Sequence, residues 1–544
     1  MGRHWQAPLH WGTRARYLVL SLAVIGIVLG LAACGSSGSS SSSSSSGGAV
    51  PTANVLKVAD TGAITTWDPR ASSSSESRIL ANFYAPLIWA NPPGSAEPYS
   101  PALATSWETS QGGKVWTFHL RHGVTFHDGT AFNARAVKYS YDATKKLGLG
   151  LAYIWSDLKQ VKVVDPYTVQ LILDQPIPLE PLVSSEYAAW IFSPKTAGKT
   201  QAWWDKGRED GTGPYTLQSY APNQETVITR YPAYWGGFKN NQFRKVVFQV
   251  AQDASTQRQM LESGAVDLQE SVGRDSVKAM QAESGIHVYV VPSLVSEILY
   301  LNTQHKPLNN PLVRQALAYA TPYSDIIAAA INNLGTQSNG PMPTGLWPRD
   351  DSVQPYTYDI AKAKQLMAQA GYPNGGFKLL MTYPTEENPA DTTMATLLKE
   401  SWAKLGVTLN LQPMLWAQAW QKAKGPLAAR QDALSITWWP AYSHGKDSLT
   451  EELHSEPTPI FNLAYWYNKG YDKLIDTAWT TEATDRTKAK QLYDQAQVMI
   501  HDQVPIIYLW DLKAVYAANS KLKIGPDAIS QPYPNVIRVY YITL

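Results

Sequence analysis

Apolar and polar side chains alternate through residues 115–121, which predicts a β-strand with one buried face. Two turn signals, His122-Gly123 and Asp128-Gly129, follow the strand. Asn133 is then placed to cap a helix with one apolar face. The side chains expected inside are Trp116, Phe118 and Leu120 of the strand and Ala134, Val137 and Tyr141 of the helix. The stretch is therefore predicted to be a β-hairpin that leads into a helix.

Helical and extended patterns alternate through the second half of the chain. The predicted helices begin at Asn310-Pro311, near residue 358, at Asp391 and at Asp485. Further strands are predicted at 55–58, 407–411 and 506–510, and a second hairpin at 161–173. This order is typical of an α/β fold.

The composition indicates a globular protein with more than one domain. The chain has 544 residues, of which 44% are hydrophobic and 17% charged, and single cores stop growing at about 300 residues. A net charge of +2 argues against nucleic acid as the partner. The 20 tryptophans and 30 tyrosines suffice both for cores and for a wall that stacks on a ligand.

Residues 1–33 are predicted to be an export signal. Basic residues precede an apolar run at 17–30, and Leu31-Ala32-Ala33 stands directly before Cys34. This motif resembles the lipobox of bacterial lipoproteins, which implies that Cys34 is lipidated and becomes the first mature residue. The alternative is an uncleaved membrane anchor, but the run is shorter than the roughly 20 residues that span a bilayer. Cys34 is the only cysteine, so we expect no intramolecular disulfide.

Residues 35–48 are almost entirely Ser and Gly. Such a segment buries no apolar surface, and a flexible tether of about fourteen residues has an r.m.s. reach of roughly 20 Å. With Cys34 anchored, the globular body is expected outside the cytoplasm, close to the cell membrane.

Several sequence motifs, which follow one another in the same order, resemble those of the family-5 extracellular solute-binding proteins of bacterial ABC importers, the oligopeptide- and dipeptide-binding type. The motifs are SWE (106–108), WTFHLR (116–121), GVTFHDG (123–129), GTGPY (211–215), LVRQALAYA (312–320), YDIAKAKQLMAQAGYPNGGF (358–377) and LLKESWAKLGV (397–407). The resemblance extends from about residue 55 to the C-terminus.

The resemblance implies an α/β periplasmic-binding-protein fold, with two lobes, a hinge, an interlobe cleft and an α+β subdomain inserted in lobe I. Ligands favour such clefts, and hinge closure is the usual motion around them. The crossings between lobes are expected near 291–301 and 501–505. The expected segments are a signal peptide (1–33), the lipidated cysteine and tether (34–54), lobe I (55–90, 211–296 and 504–544), the inserted subdomain (91–210) and lobe II (297–503).

Neither a metal site nor an enzyme is indicated. His119 lies on the predicted strand while His122 and His127 lie in turns, and no cysteine or carboxylate at zinc spacing accompanies them. The sequence lacks a His-Glu-x-x-His motif, a Gly-x-Ser-x-Gly elbow and a Walker loop. Carboxylates are plentiful, but nothing singles out a glycosidase pair. The family resemblance implies binding without catalysis, so we expect no cofactor, no metal and no catalysis.

The chain departs from the family at one informative position. Peptide-binding relatives carry a Gly-Trp-x-Ala-Asp-Tyr-x-Asp-Pro phrase whose first Asp pairs with the α-ammonium of the peptide. Here the corresponding run is ITWWPAYSHG (436–445), which puts Ala441 at that Asp. A buried ammonium without a carboxylate costs several kcal/mol. A shifted alignment, or Asp447 or Asp432, could supply the missing carboxylate.

Two ligand classes follow from this departure. One is a peptide or peptide-like solute whose N-terminus is recognised elsewhere or blocked; the other is an uncharged oligosaccharide stacked on aromatic rings. The candidate ligand-binding residues are Trp67, Trp416, Trp420, Trp438, Trp439, Tyr442 and Trp510. Trp416 and Trp420, four residues apart, could equally be the core face of a helix. Trp438 and Trp439 are neighbours on a predicted strand, so they should point to opposite faces.

The expected partners are the small-molecule ligand, an ABC permease with its ATPase, and the membrane through the lipid anchor. We expect a monomer that does not bind nucleic acid. A receptor that presents its ligand to a sensor is the alternative, which the sequence leaves open.

Overall fold

The computed structural model describes residues 55–62, 64–73, 76–385, 390–455, 461–529 and 536–544. The predicted export signal, Cys34 and the tether lie outside these residues, so their roles stay predictions. Among the described helices, none combines the length and the apolar character needed to cross a bilayer. All described elements belong to one unit, Thr52–Leu544.

The strands of the described part are β1 (Val55–Asp60), β2 (Ile88–Ala90), β3 (Tyr99–Pro101), β4 (Ala104–Ser110), β5 (Val115–Leu120), β6 (Leu158–Asp165), β7 (Thr168–Leu173), β8 (Tyr215–Ala221), β9 (Glu225–Arg230), β10 (Lys245–Val250), β11 (Leu268–Gln269), β12 (Ile286–Leu301), β13 (Gly335–Gln337), β14 (Lys378–Pro384), β15 (Thr408–Met414), β16 (Ala433–Trp438), β17 (Ile506–Asn519), β18 (Lys523–Ile524) and β19 (Ile542–Thr543).

The α-helices of the same ranges are α1 (Ser77–Leu80), α2 (Ala134–Leu147), α3 (Glu180–Val183), α4 (Gln201–Trp204), α5 (Ala254–Glu262), α6 (Val277–Gln281), α7 (Pro311–Tyr319), α8 (Tyr323–Ile331), α9 (Ile360–Gln369), α10 (Ala390–Ala403), α11 (Trp416–Ala423), α12 (Lys446–Glu451), α13 (Lys469–Glu482) and α14 (Arg486–Gln503).

One large mixed sheet passes through the whole unit. Its strand order is β15-β14-β16-β12-β17-β11-β1-β10-β9-β8, and β13 pairs with the side of β17. The long antiparallel strands β12 and β17 join the two halves, because β12 also pairs with β16 while β17 also pairs with β11. Their ladder is interrupted between Pro292 and Ser296. The expected α/β class is confirmed.

The first half of β17 packs in the cores beside β14 and β16, and its second half packs against β1 and β11. Strand β17 therefore takes part in both halves of the sheet. The range 501–505, near which the sequence predicted the second crossing, covers the end of α14 and the residues before the strand, and the position of the crossing stays a prediction. The range 291–301 falls on β12.

A separate four-stranded antiparallel sheet, β4-β5-β7-β6, lies within the predicted insertion. Trp116, Phe118 and Leu120 of β5 are buried against the apolar face of α2. The side chain of Asn133 accepts a hydrogen bond from the Arg135 N–H, which caps α2 as predicted. The hairpin and its helix thus pack in one core, to which Ala441, Tyr442 and Trp479 from the second half of the chain also contribute.

Candidate functional site

A cavity of about 310 Å³ lies between the first part of the chain, the inserted sheet and the β16–α12 region. It is lined by Ser73, Leu151, Tyr153, Trp416, Ile436, Thr437, Trp438, Trp439, Ala441, Asp447 and Phe461. Ligand pockets usually measure about 300–1,000 Å³, so the cavity suits a small solute.

Aromatic rings form one wall of this cavity. The Trp416 and Trp420 ring centroids lie 5.2 Å apart at the start of α11, and Trp420 and Phe461 lie 5.3 Å apart. Phe461 also meets Trp438 edge to face at 5.3 Å. Trp416 and Trp420 are half-buried, since Ala419 and Ala423 form the buried face of α11. Both rings also pack, partly buried, against the hydrophobic core beside β16, so the helix-core alternative for this pair stays open.

Trp438 and Trp439 both line the cavity, although they are adjacent in sequence. Strand β16 ends at Trp438, so the strict alternation of a strand does not extend to Trp439. The Trp438 Nε1–H donates to Ser448 Oγ at 3.2 Å, which fixes the indole plane. Trp439 packs partly buried against two of the cores.

Asp447 supplies a carboxylate to the cavity. It lies in the first turn of α12, where its Oδ2 accepts a hydrogen bond from the Ala441 N–H at 2.9 Å. The Tyr153 hydroxyl donates to its Oδ1 at 3.4 Å. Burial raises the pKa of Asp447 to about 6, although the Ala441 N–H opposes the rise. Among the described residues no cationic side chain forms a salt bridge with Asp447, so a cationic group of a ligand could form one with it.

Asp432, the other carboxylate considered from the sequence, lies elsewhere. Its Oδ2 accepts from the Leu380 N–H at 2.7 Å, and its Oδ1 is 2.9 Å from His305 Nδ1. It does not line the cavity. Asp447 is the one of the two that reaches the site.

Three predicted ligand-binding residues lie outside this wall. Trp67 is buried against Phe83 and Tyr220, Tyr442 belongs to the core of the inserted sheet, and Trp510 is fully buried in the core beside β14. None of them lines the cavity, and neither does Trp420, whose ring contacts that of Trp416. Direct ligand contact by these residues stays a prediction.

Sequence reasoning missed several lining residues, above all Leu151 and Tyr153. They precede β6 in a segment without strand or helix periodicity. Their approach to β16 depends on how the inserted sheet packs on the rest of the chain, and no local pattern reports that packing. The sequence likewise gave no indication that Phe461 and Ser73 line the cavity.

The three histidines of the first hairpin have other partners. His119 Nε2 lies 3.1 Å from a Glu108 carboxylate oxygen, and the His122 ring stacks on Tyr167 at 3.7 Å. His127 contacts the Glu209 carboxylate and the Gly213 carbonyl. These contacts give each ring a structural role.

The match to a family decides what kind of protein this is. The sequence model of the bacterial extracellular solute-binding proteins, family 5, matches residues 98–459. The chain belongs to this family. Members bind solutes and do not catalyse reactions, so the chain is a solute-binding protein and not an enzyme.

Relatives with known roles resemble this family-5 protein along most of their length. The dipeptide-binding protein of Escherichia coli K12 is 30% identical over 444 residues, covering 75% of this chain and 80% of the relative. Heme-binding protein A of Haemophilus influenzae is 31% identical over 439 residues, covering 75% and 78%.

A solved structure confirms the two-lobe fold. An ABC transporter-associated periplasmic binding protein from Helicobacter pylori, in complex with the peptide STSA, superposes with a TM-score of 0.75 at 27% identity. The match covers 90% of this chain and 98% of that protein.

Proposed function

We propose that this protein is an extracytoplasmic lipoprotein that captures a short peptide or peptide-like solute and delivers it to an ABC permease. The observation that supports the ligand class is the buried Asp447 carboxylate at the edge of an aromatic cavity. A carboxylate there is a partner for the α-ammonium of a peptide, and the rings pack against its side chains.

Asp447 would take the place of the Asp that the family carries where this chain has Ala441. The two residues are joined by a hydrogen bond, so the replacement carboxylate lies next to the position that lost one. The relatives that are named for dipeptides, and the peptide complex with the same fold, support this ligand class.

An oligosaccharide is the second candidate, and the aromatic wall favours it. Trp416, Trp438 and Trp439 offer ring surfaces of the kind that stack on sugars. A sugar would leave the Asp447 carboxylate without a cationic partner. We therefore place the peptide first.

Calorimetry on the chain that begins at Gly35 tests the ligand class. We expect dipeptides with a free N-terminus to bind, and their N-acetylated forms and oligosaccharides to bind far more weakly. Equal binding of free and acetylated peptides, or binding of oligosaccharides alone, would overturn the role of Asp447.

Membrane attachment and delivery need separate tests. Cys34→Ala should release the protein from the membrane fraction, and mass spectrometry should find a diacylglyceryl group on the wild-type cysteine. Deletion of the permease should abolish peptide uptake. If loss of this protein leaves peptide uptake intact but abolishes a sensor response, the receptor alternative is supported.

A further inference from the structure

A second cavity, of about 570 Å³, lies against the same chain segment as the first. Ala441 and Asp447 line the first cavity, whereas Ser443 and His444 line the second, and the two cavities share no lining residue. The 91–99 loop before the inserted sheet, the start of α3 and the α13–α14 corner form its other walls. The ligand function described above does not use this space.

Three indole rings are among the residues that line the second cavity. Trp107 lies on β4, Trp116 on β5, and Trp347 on a loop of the other half of the chain. The Arg486 guanidinium already lies over the Trp347 ring, 4.0 Å from its centroid. The wall is thus built from surfaces that attract cations.

Carboxylates dominate the charge of the lining. Glu97, Glu180 and Glu482 line the cavity and only Arg486 opposes them among its Lys and Arg residues. In the described ranges Glu180 forms no salt bridge, and burial raises the pKa of its carboxyl to about 7. A cationic ligand beside Glu180 would stabilise the ionised carboxylate that burial disfavours.

Glu482 is held rigidly at the back of the cavity. Its Oε1 accepts from Trp347 Nε1 at 2.6 Å and lies 3.1 Å from His444 Nε2. Its side chain is only 5% exposed, and the Arg486 Nε lies 4.0 Å from the same Oε1. Glu482 therefore already has hydrogen-bonding and charged partners, which leaves Glu180 as the carboxylate that a ligand can pair with.

We propose that the second cavity binds a small organic cation with an aromatic or apolar body, such as an arylalkylamine. The ammonium group would lie beside Glu180, and the body would pack on Trp107. The charge selects a cation over an anion, and the indole surfaces select an organic cation over a metal ion.

Calorimetric titration of the purified mature protein with phenethylammonium at pH 8 tests the proposal. We expect saturable binding, weakened about tenfold or more both by Glu180→Gln and by replacing the probe with uncharged 2-phenylethanol. Glu400→Gln, which removes an exposed carboxylate from α10, should leave the affinity unchanged. Trp107→Leu should weaken binding as well, and it serves as the readout if Glu180→Gln does not fold.

The two cavities are distinguished by Asp447→Asn. Phenethylammonium binding that survives Asp447→Asn but not Glu180→Gln supports the second site. Binding lost in Asp447→Asn and kept in Glu180→Gln places the probe in the first cavity and overturns the proposal. Absence of binding up to about 10 mM, or equal affinity for 2-phenylethanol, also overturns it.

Discussion

The Asp447 carboxylate accepts a hydrogen bond from the backbone N–H of Ala441 at 2.9 Å, and both residues line the same cavity. The resemblance places a family carboxylate at the position of Ala441, and Asp447 is its proposed replacement. A single hydrogen bond therefore joins the backbone at that position to the proposed replacement carboxylate.

Asp447→Asn is expected to weaken the binding of peptides with a free N-terminus by about 2–4 kcal/mol, because the buried ammonium loses its charged partner. Isothermal titration calorimetry measures the change. The matched control is Asp432→Asn, which removes a carboxylate outside the cavity and should leave affinity unchanged. Loss of affinity in the control alone would transfer the role to Asp432.

Affinity for such peptides should fall as the pH drops below about 6. Burial raises the pKa of Asp447 to about 6 in the free protein, and the ammonium binds only the ionised form. Below that pH the carboxyl must lose a proton on binding, so affinity should approach a tenfold loss per pH unit. Calorimetry between pH 4.5 and 8 checks this, and a flat profile would contradict it. N-acetylated peptides should show no such dependence.

Trp438→Ala and Trp439→Ala should each weaken ligand binding about tenfold or more without abolishing cooperative unfolding. Trp438 is the more buried and donates to Ser448, so its loss should also lower stability by about 2–4 kcal/mol. Affinity by calorimetry and urea denaturation separate the two effects. Trp203→Ala on α4 is the matched control for loss of an indole. Unchanged affinity in both variants would remove these rings from the site.

Glu180→Gln should stabilise the protein relative to wild type at pH 8 but not at pH 4. Burial raises the Glu180 pKa to about 7 in the folded state. Below the unfolded pKa of about 4.3 the carboxyl is protonated in both states. As the pH rises to 7 the unfolded chain ionises first, so wild-type stability falls by up to about 4 kcal/mol. Urea denaturation at both pH values measures the difference, and Glu400→Gln should show none. If the stability difference between Glu180→Gln and the wild type does not grow with pH, the raised pKa of a buried Glu180 carboxyl is contradicted.

The sequence predicted those elements that depend on neighbouring residues, such as helices with an N-terminal cap. Asn133 and Asn310 cap the helices that the sequence assigned to them. Strand β17 is longer than the predicted 506–510, because Asp511 and Lys513 break the apolar run although the strand continues. The extra residues gain their extended conformation from pairing with β12, a contact far away in sequence.

The site was predicted less completely than the fold. Trp416, Trp438 and Trp439 reach the cavity, whereas Trp67 and Trp510 are buried in cores. An indole has the same hydrophobic signature in both settings, so composition alone does not separate them. Tyr153 comes to Asp447 from 294 residues away in the chain, and only tertiary packing produces that contact.

The interrupted ladder between β12 and β17 has a mechanical consequence. A connection made of loops would swing with little resistance, but here the connecting backbone is itself hydrogen-bonded over most of its length. Bending must strain those bonds except at the two register shifts, between Pro292 and Ser296 and between Glu297 and Ile298, where one strand has surplus residues opposite its neighbour. The protein should therefore resist bending between the two halves of the sheet, and it should return to its resting conformation once the solute has left.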